Sequence, residues 1–221
     1  MYKRNEHKIF TLSESDESVR DAAKHLKRVL RKGDIILSGA ILNNFYAKFV
    51  NIVVQITIKL LRGLSHSCIY LGNDRILDID HKIIRRGEDI ETVSIEQFIR
   101  SKIDRFGGVT IYVVRPRNYN PRIRDSVIRL SIKNFLRKNK DLKHSYVESL
   151  KIAYLHFFER DKHHVENLDL DYKTNWTCSH MVAYILKKAG TNIGNKASYT
   201  FVPSTFLFSK HFAVKKKLVL K

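Results

Sequence analysis

The sequence predicts an α+β domain, a small antiparallel sheet packed against helices. Three observations carry that expectation. Apolar residues recur at helical spacing in several segments and make one-sided stripes. Between those segments lie short runs rich in Ile, Val and Tyr, of strand length and bounded by glycine, asparagine or proline. The 221 residues contain neither an internal repeat nor a low-complexity linker, and a chain of that length buries a sizeable core. Residues 33–212 are expected to form the domain, after a polar segment and amphipathic helix over 1–32 and before a basic tail over 213–221.

In chain order, residues 1–12 read as a polar lead-in. Over 16–32, Val19, Ala22, Ala23, Leu26, Val29 and Leu30 share one helix face, opposite a basic one, with Ser13 or Ser15 as the cap. Gly33-Asp34 ends this helix, and Ile35-Ile36-Leu37 is a short buried strand. Over 43–64, Phe45, Phe49, Ile52, Val53, Ile56 and Leu60 again lie at helical spacing, which fits a core helix or one lying on a membrane surface. The apolar stretch at 49–58 is too short to span a bilayer. Residues 65–72 and 75–80 form a hairpin around Gly72-Asn73-Asp74. A short strand at 82–85, a Ser94-capped helix over 94–103, and a strand from Val109 to Val114 stopped by Pro116 follow.

Pro121 opens a basic amphipathic helix reaching residue 138, with Ile123, Val127, Leu130 and Phe135 turned inward. Residues 141–160 read as helical and 161–174 as a loop. Thr177 then caps a helix whose stripe is Val182, Ile185, Leu186 and Ala189. Lys187 and Lys188 lie in its last turn and Gly190 is its C′ residue. Beyond it the chain reads as a loop with Pro203, a short apolar run at Phe206-Leu207-Phe208, and the lysines Lys215, Lys216 and Lys217 of the tail.

Lys+Arg of 41 against Asp+Glu of 22 leaves a net charge of +19. Such a field draws anionic partners, whether nucleic acid, an acidic membrane surface or phosphorylated ligands, and no nucleic-acid-binding motif accompanies it. Two cysteines exclude a disulfide scaffold, and without a Cys-x-x-Cys pair they do not suggest structural zinc. His156, His163 and His164 fit a solvated loop, since no carboxylate-rich spacing accompanies them, so neither metal nor cofactor is expected. The first eight residues lack the apolar segment of a secretory signal. The expectation is therefore an intracellular, cytoplasmic protein, soluble or peripheral on membranes. Nothing in the sequence sets an oligomeric state.

The chemistry centres on Cys178, in the first turn of its helix. Backbone N–H groups point outward there and the dipole favours an anion, so a thiolate is stabilised. A buried structural cysteine is the competing reading. A nucleophile needs a base, and the base an orienter. His180 is poorly placed, because residues i and i+2 of a helix point to different sides. His66 lies on a strand, where His66, Cys68 and Tyr70 share one side. A three-residue turn would pair Leu71 with Arg75, Cys68 with Asp78 and His66 with Asp80, which puts both aspartates on the His66 side. A helix opening with Cys178 and packed on it would complete a Cys/His/Asp triad.

Several pieces in order carry a resemblance: Gly33-Asp34-Ile35-Ile36; Ser65-His66-Ser67-Cys68-Ile69-Tyr70-Leu71-Gly72; Ile76-Leu77-Asp78; Thr177-Cys178-Ser179-His180-Met181-Val182; and Pro203-Ser204-Thr205-Phe206-Leu207. Together they resemble the circularly permuted NlpC/P60 branch of the papain-like superfamily, in particular the bacterial YiiX/YebB-type proteins and their poxviral counterparts. The lecithin:retinol and phospholipid acyltransferases, with the same order of residues, are more distant. The resemblance covers residues 33–212 and implies a permuted NlpC/P60 papain-like fold. It implies Cys178 as nucleophile, His66 as general base and Asp78 as orienter, with Asp80 as the alternative orienter and Cys68, Tyr70 and Ser179 lining the site. His180 stands where bacterial relatives carry glutamate, and Cys68 where glycine or alanine is usual. Cys68 is expected to pack under the Cys178 helix, as a small buried thiol or a redox partner.

The implied activity is cysteine-dependent hydrolysis or acyl transfer on an amide or ester through a thioester. The basic surface and the 43–64 stretch tilt the expected substrate toward acyl lipids or membrane-associated molecules. The alternative is a non-catalytic basic module that binds anionic membrane or nucleic acid.

Overall fold

The computed structural model describes residues 8–10, 16–41, 63–78, 92–133, 143–144, 175–194 and 201–220. The strands are β1 (Lys8–Phe10), β2 (Ile35–Ala40), β3 (His66–Gly72), β4 (Arg75–Leu77), β5 (Thr92–Ser94), β6 (Val109–Pro116), β7 (Lys143–His144), β8 (Asn175–Trp176) and β9 (Phe212–Leu220). The helices are α1 (Asp16–Val29), α2 (Ile95–Phe106), α3 (Pro121–Ser131), α4 (Cys178–Lys188) and α5 (Pro203–Phe208). The fold is α+β. One sheet runs in the order β1-β9-β6-β2-β3-β4-β5; six strands are antiparallel to their neighbours, and β1 adds parallel to β9. β7 and β8 pair separately.

Helices cover both faces of the sheet, and the two cores follow from strand alternation. Ile35, Leu37, Ile69, Leu71 and Leu77 face α4, meeting Met181, Val182 and Ile185. Ile36, Cys68, Tyr70 and Ile76 face the other way, toward Leu26 of α1 and Phe98 and Ile99 of α2. β3 is consequently buried at every residue. A strand covered on both faces loses the polar alternation of a half-exposed one.

Local chemistry sets the element ends. Ser94 caps α2 through a capping box: its hydroxyl accepts from the Gln97 N–H (3.1 Å), and the Gln97 side chain accepts from the Ser94 N–H (2.9 Å). Gly107, at φ 73°, closes the same helix. Asn120 and Pro121 start α3. Between α1 and β2, Gly33 takes φ 80°, and a Cβ there would collide with the Tyr119 hydroxyl, which donates to the Gly33 carbonyl (3.0 Å). Asp34 beside it is fully buried. It accepts from Arg115 Nε and Nη2 (2.7 Å each) and from the Arg31 N–H (2.9 Å). The Gly33 N–H donates to the Tyr70 carbonyl (2.7 Å), which ties this corner to β3.

Several expectations are corrected. The sheet is larger than foreseen. The lead-in contains β1, and the basic tail is β9, the longest strand of the sheet. The lysine run hid that strand: Leu218 and Leu220 point inward at period two, while the lysines between Val214 and Leu218 interrupt the apolar pattern. The apolar run after Pro203 is α5, not loop, and Lys143–His144 is strand where helix was expected. The hairpin turn is the pair Asn73-Asp74, with φ of 50° and 64°, as a type I′ turn requires. Its register (Ile69 opposite Leu77, Tyr70 opposite Ile76) is the one foreseen, because an irregularity between Tyr70 and Gly72 takes up the difference. The 43–64 stripe, the strand at 82–85, the end of the helix reaching 138 with Phe135, the helix over 145–160, the loop at 161–174, Ser13, Ser15, Asp80, His156, His163 and His164 lie outside the described residues. Among the described residues, no helix is long and apolar enough to cross a membrane.

Candidate active site

α4 begins where its sequence says it should. The Thr177 hydroxyl accepts from the His180 N–H (3.1 Å), satisfying one orphan donor of the first turn. At the far end Gly190 takes φ 83°, its N–H reaches the Lys187 carbonyl (3.0 Å), and the Thr191 N–H reaches that of Leu186 (2.9 Å). That is a Schellman closure. Cys178 is therefore the first helical residue, 6 % exposed, with the positive end of the dipole behind it. The Ser67 and Ser179 hydroxyls are hydrogen-bonded (3.1 Å), which clips the start of α4 to the start of β3. The residue after Cys178 thus touches the residue after His66.

The second half of the site lies on the face of β3 that meets α2. The Nε2–H of His66 donates to Asp78 Oδ1, with both residues buried. The Lys102 ammonium of α2, itself buried, stands 4.0 Å from Asp78 Oδ2 and 5.3 Å from the centre of the Phe98 ring. The His66 and Phe98 ring centres are 6.5 Å apart. Lys102 is the residue that sequence reasoning missed. Its signal was present: Ile95, Phe98, Ile99 and Lys102 follow the spacing of one helix face, so a lysine occupies a core position of α2.

Four opposing influences act on the His66 ring. Burial and the Lys102 charge lower its pKa. Asp78, by charge and hydrogen bond, and the charge of Cys178 raise it, and they prevail, lifting it from 6.5 to about 10. Cys178 thus belongs to the electrostatic surroundings of His66. His180 behaves oppositely: burial lowers its pKa to about 4, which keeps it neutral near pH 7.

The other foreseen residues divide. Ser179 belongs to the site through its bond to Ser67. Tyr70 lies four residues along β3 from His66, about 13 Å at strand rise. Its hydroxyl accepts from the Asp74 N–H (3.4 Å) at the hairpin turn, so it does not line the site. Cys68 was expected beneath the Cys178 helix. It points to the opposite face, among Ile36, Tyr70 and Ile76, with its thiol toward the Ile36 carbonyl (3.6 Å). That places the sheet between the two cysteines' surroundings. The same correction applies to α4, which packs on the Ser67, Ile69 and Leu71 side and not on the side named for His66. The two halves meet at the beginning of β3, not across one strand face.

Comparison of the chain with family models, with curated proteins and with solved structures found no match. Any reading of function rests on this chain's own residues. Together they offer a thiol at a helix N-terminus, a buried imidazole oriented by a carboxylate, and a buried cation behind that carboxylate.

Proposed function

We propose that the protein is a thiol-dependent acyl-transfer enzyme, a hydrolase or acyltransferase of amides or esters, with Cys178 as nucleophile, His66 as base and Asp78 as orienter. The observation that carries it is the buried His66–Asp78 hydrogen bond, joined to the Cys178 turn through Ser67 and Ser179. A buried imidazole–carboxylate pair costs desolvation energy that packing alone does not demand. With Nε2 engaged by Asp78, Nδ1 is the nitrogen that exchanges a proton with Cys178. The thiolate forms an S–C bond to the acyl carbon, and the oxyanion is held by N–H groups of the first turn of α4. Collapse breaks the C–N or C–O bond, and the leaving group takes the proton from His66. Water or another acceptor, deprotonated by His66, then releases the acyl group from the thioester.

The order His66, Asp78, Cys178 along the chain agrees with a permuted NlpC/P60 arrangement, which we propose as the fold type. The substrate class is an acyl amide or acyl ester. The net charge of +19 favours an anionic, membrane-associated one.

Labelling with an activated-ester probe and with iodoacetamide, mapped by mass spectrometry, tests this on wild type, Cys178→Ala, Cys68→Ala and His66→Ala. The expected result is rapid acylation of Cys178, absent in Cys178→Ala, unchanged in Cys68→Ala and slowed about 100-fold or more in His66→Ala. Labelling of Cys178 no faster than a free thiol would sink the catalytic reading. The net charge would then favour a basic module binding anionic membrane or nucleic acid, recognised by steep loss of binding with salt and indifference to Cys178→Ala.

A further inference from the structure

We propose that Lys102 is a positioning residue of this site: its ammonium, buried against Asp78, holds that carboxylate in place behind His66, and Cys178 reactivity depends on it. The inference rests on the reading of Cys178, His66 and Asp78 as the reacting set. Lys102 is 3 % exposed and occupies a core position of α2, where a leucine would fill the space without desolvation cost. Burying an ammonium is costly unless a partner compensates. Asp78 is that partner, at 4.0 Å from its Oδ2, and the face of Phe98 adds a cation–π contact at 5.3 Å. Asp78 is therefore held from both sides, Oδ1 by His66 and Oδ2 by Lys102.

The charges acting on His66 are those of Lys102, Asp78 and Cys178, contributed by α2, the residue after β4, and α4. With His66 protonated they alternate in sign, and the buried set is neutral. Removing Lys102 leaves it with a net negative charge. Two consequences follow. Cys178 ionises less readily, because the buried set it belongs to loses a positive charge. His66 holds its proton more tightly, because Lys102 opposes protonation of the ring. Lys102 thus favours the thiolate while keeping the imidazolium able to give up its proton to a leaving group.

The test is the pH dependence of Cys178 alkylation by iodoacetamide on the full chain, for wild type, Lys102→Met, Lys102→Gln and Lys102→Arg. Removing the charge should move the acid limb up by about one pH unit, or about tenfold in rate at a fixed pH on that limb. Lys102→Arg should restore the wild-type limb. An unmoved limb in folded Lys102→Met or Lys102→Gln, or an equal shift in Lys102→Arg, would overturn the proposal. If the neutral variants do not fold, isotope-edited NMR of the Lys102 ε-methylene in wild type decides: an ammonium charged at pH 7 that responds to Asp78→Asn supports it, and a neutral or unresponsive one refutes it. A wild-type Cys178 with the ordinary reactivity of a free thiol would refute the catalytic set itself. A reactive Cys178 indifferent to Lys102 would refute only this role.

Discussion

Two buried carboxylates, Asp34 and Asp78, stand in the same fold and are held differently. Asp34 receives two bonds from the Arg115 guanidinium and one from the Arg31 N–H. None of these donors titrates near neutral pH, and the hydrogen bond to Asp34 raises the Arg115 pKa further. Asp78 is bonded to an imidazole, with an ammonium at 4.0 Å. The first arrangement is geometrically saturated and can only hold: it locks the corner where α1, β2, β3 and β6 meet. The second has a titratable partner, whose pKa is raised by Asp78 and by the charge of Cys178. On the proposed reading, the Asp34 pair serves the frame because its donors are permanent, and the Asp78 pair serves the chemistry because His66 titrates.

The sharpest way to break this comparison is to remove each carboxylate. Asp34→Asn should cost about 3 kcal/mol of stability, since Arg115 is left facing a neutral amide, while the folded fraction keeps its Cys178 alkylation rate. Urea unfolding and alkylation on the same samples check both halves. A variant of normal stability, or one whose folded fraction has lost the fast thiol, would erase the division between frame and site.

A smaller effect concerns the two buried histidines, His66 and His180. His66 is raised to about 10 in the fold, so its contribution to stability is complete below about pH 6.5 and is lost as pH rises through about 10. His180 is lowered to about 4 by burial, so its neutral form is the one the fold accommodates, and stability declines as pH falls from about 6.5 toward 4. The pair should therefore place a stability maximum near pH 6.5. Urea midpoints across that range read it, and His180→Gln should flatten the acid side alone.

Much of the frame was legible in the sequence. Thr177, Gly190 and the stripe of α4 announced that helix, and Ser94 the start of α2, because caps are local chemistry. The hairpin was legible in place, but its register came out as foreseen only because the irregularity between Tyr70 and Gly72 offset a turn one residue shorter. β1 and β9 were not legible, since the first is three residues long and the second carries a lysine run across its apolar alternation. Of the candidate site, the pairing of His66 with Asp78 was legible, while Tyr70, Cys68 and the layout were not. Alternation along β3 correctly put His66 and Asp78 on one side. It could not say that the sheet is covered on both faces, or which face α4 takes, because those are tertiary choices that period two does not encode. Lys102 went unseen because a lysine on a helix is ordinarily a solvated one. Only its place on the apolar stripe marked it.

The most direct test of the central claim, that Cys178 and His66 form one electrostatic unit, is an NMR titration of the His66 ring nitrogens in wild type and Cys178→Ala. The account predicts a His66 ring that stays protonated to about pH 10 in wild type and titrates lower once the thiolate is removed. A His66 that titrates near 6.5, or one that Cys178→Ala leaves unmoved, would contradict it.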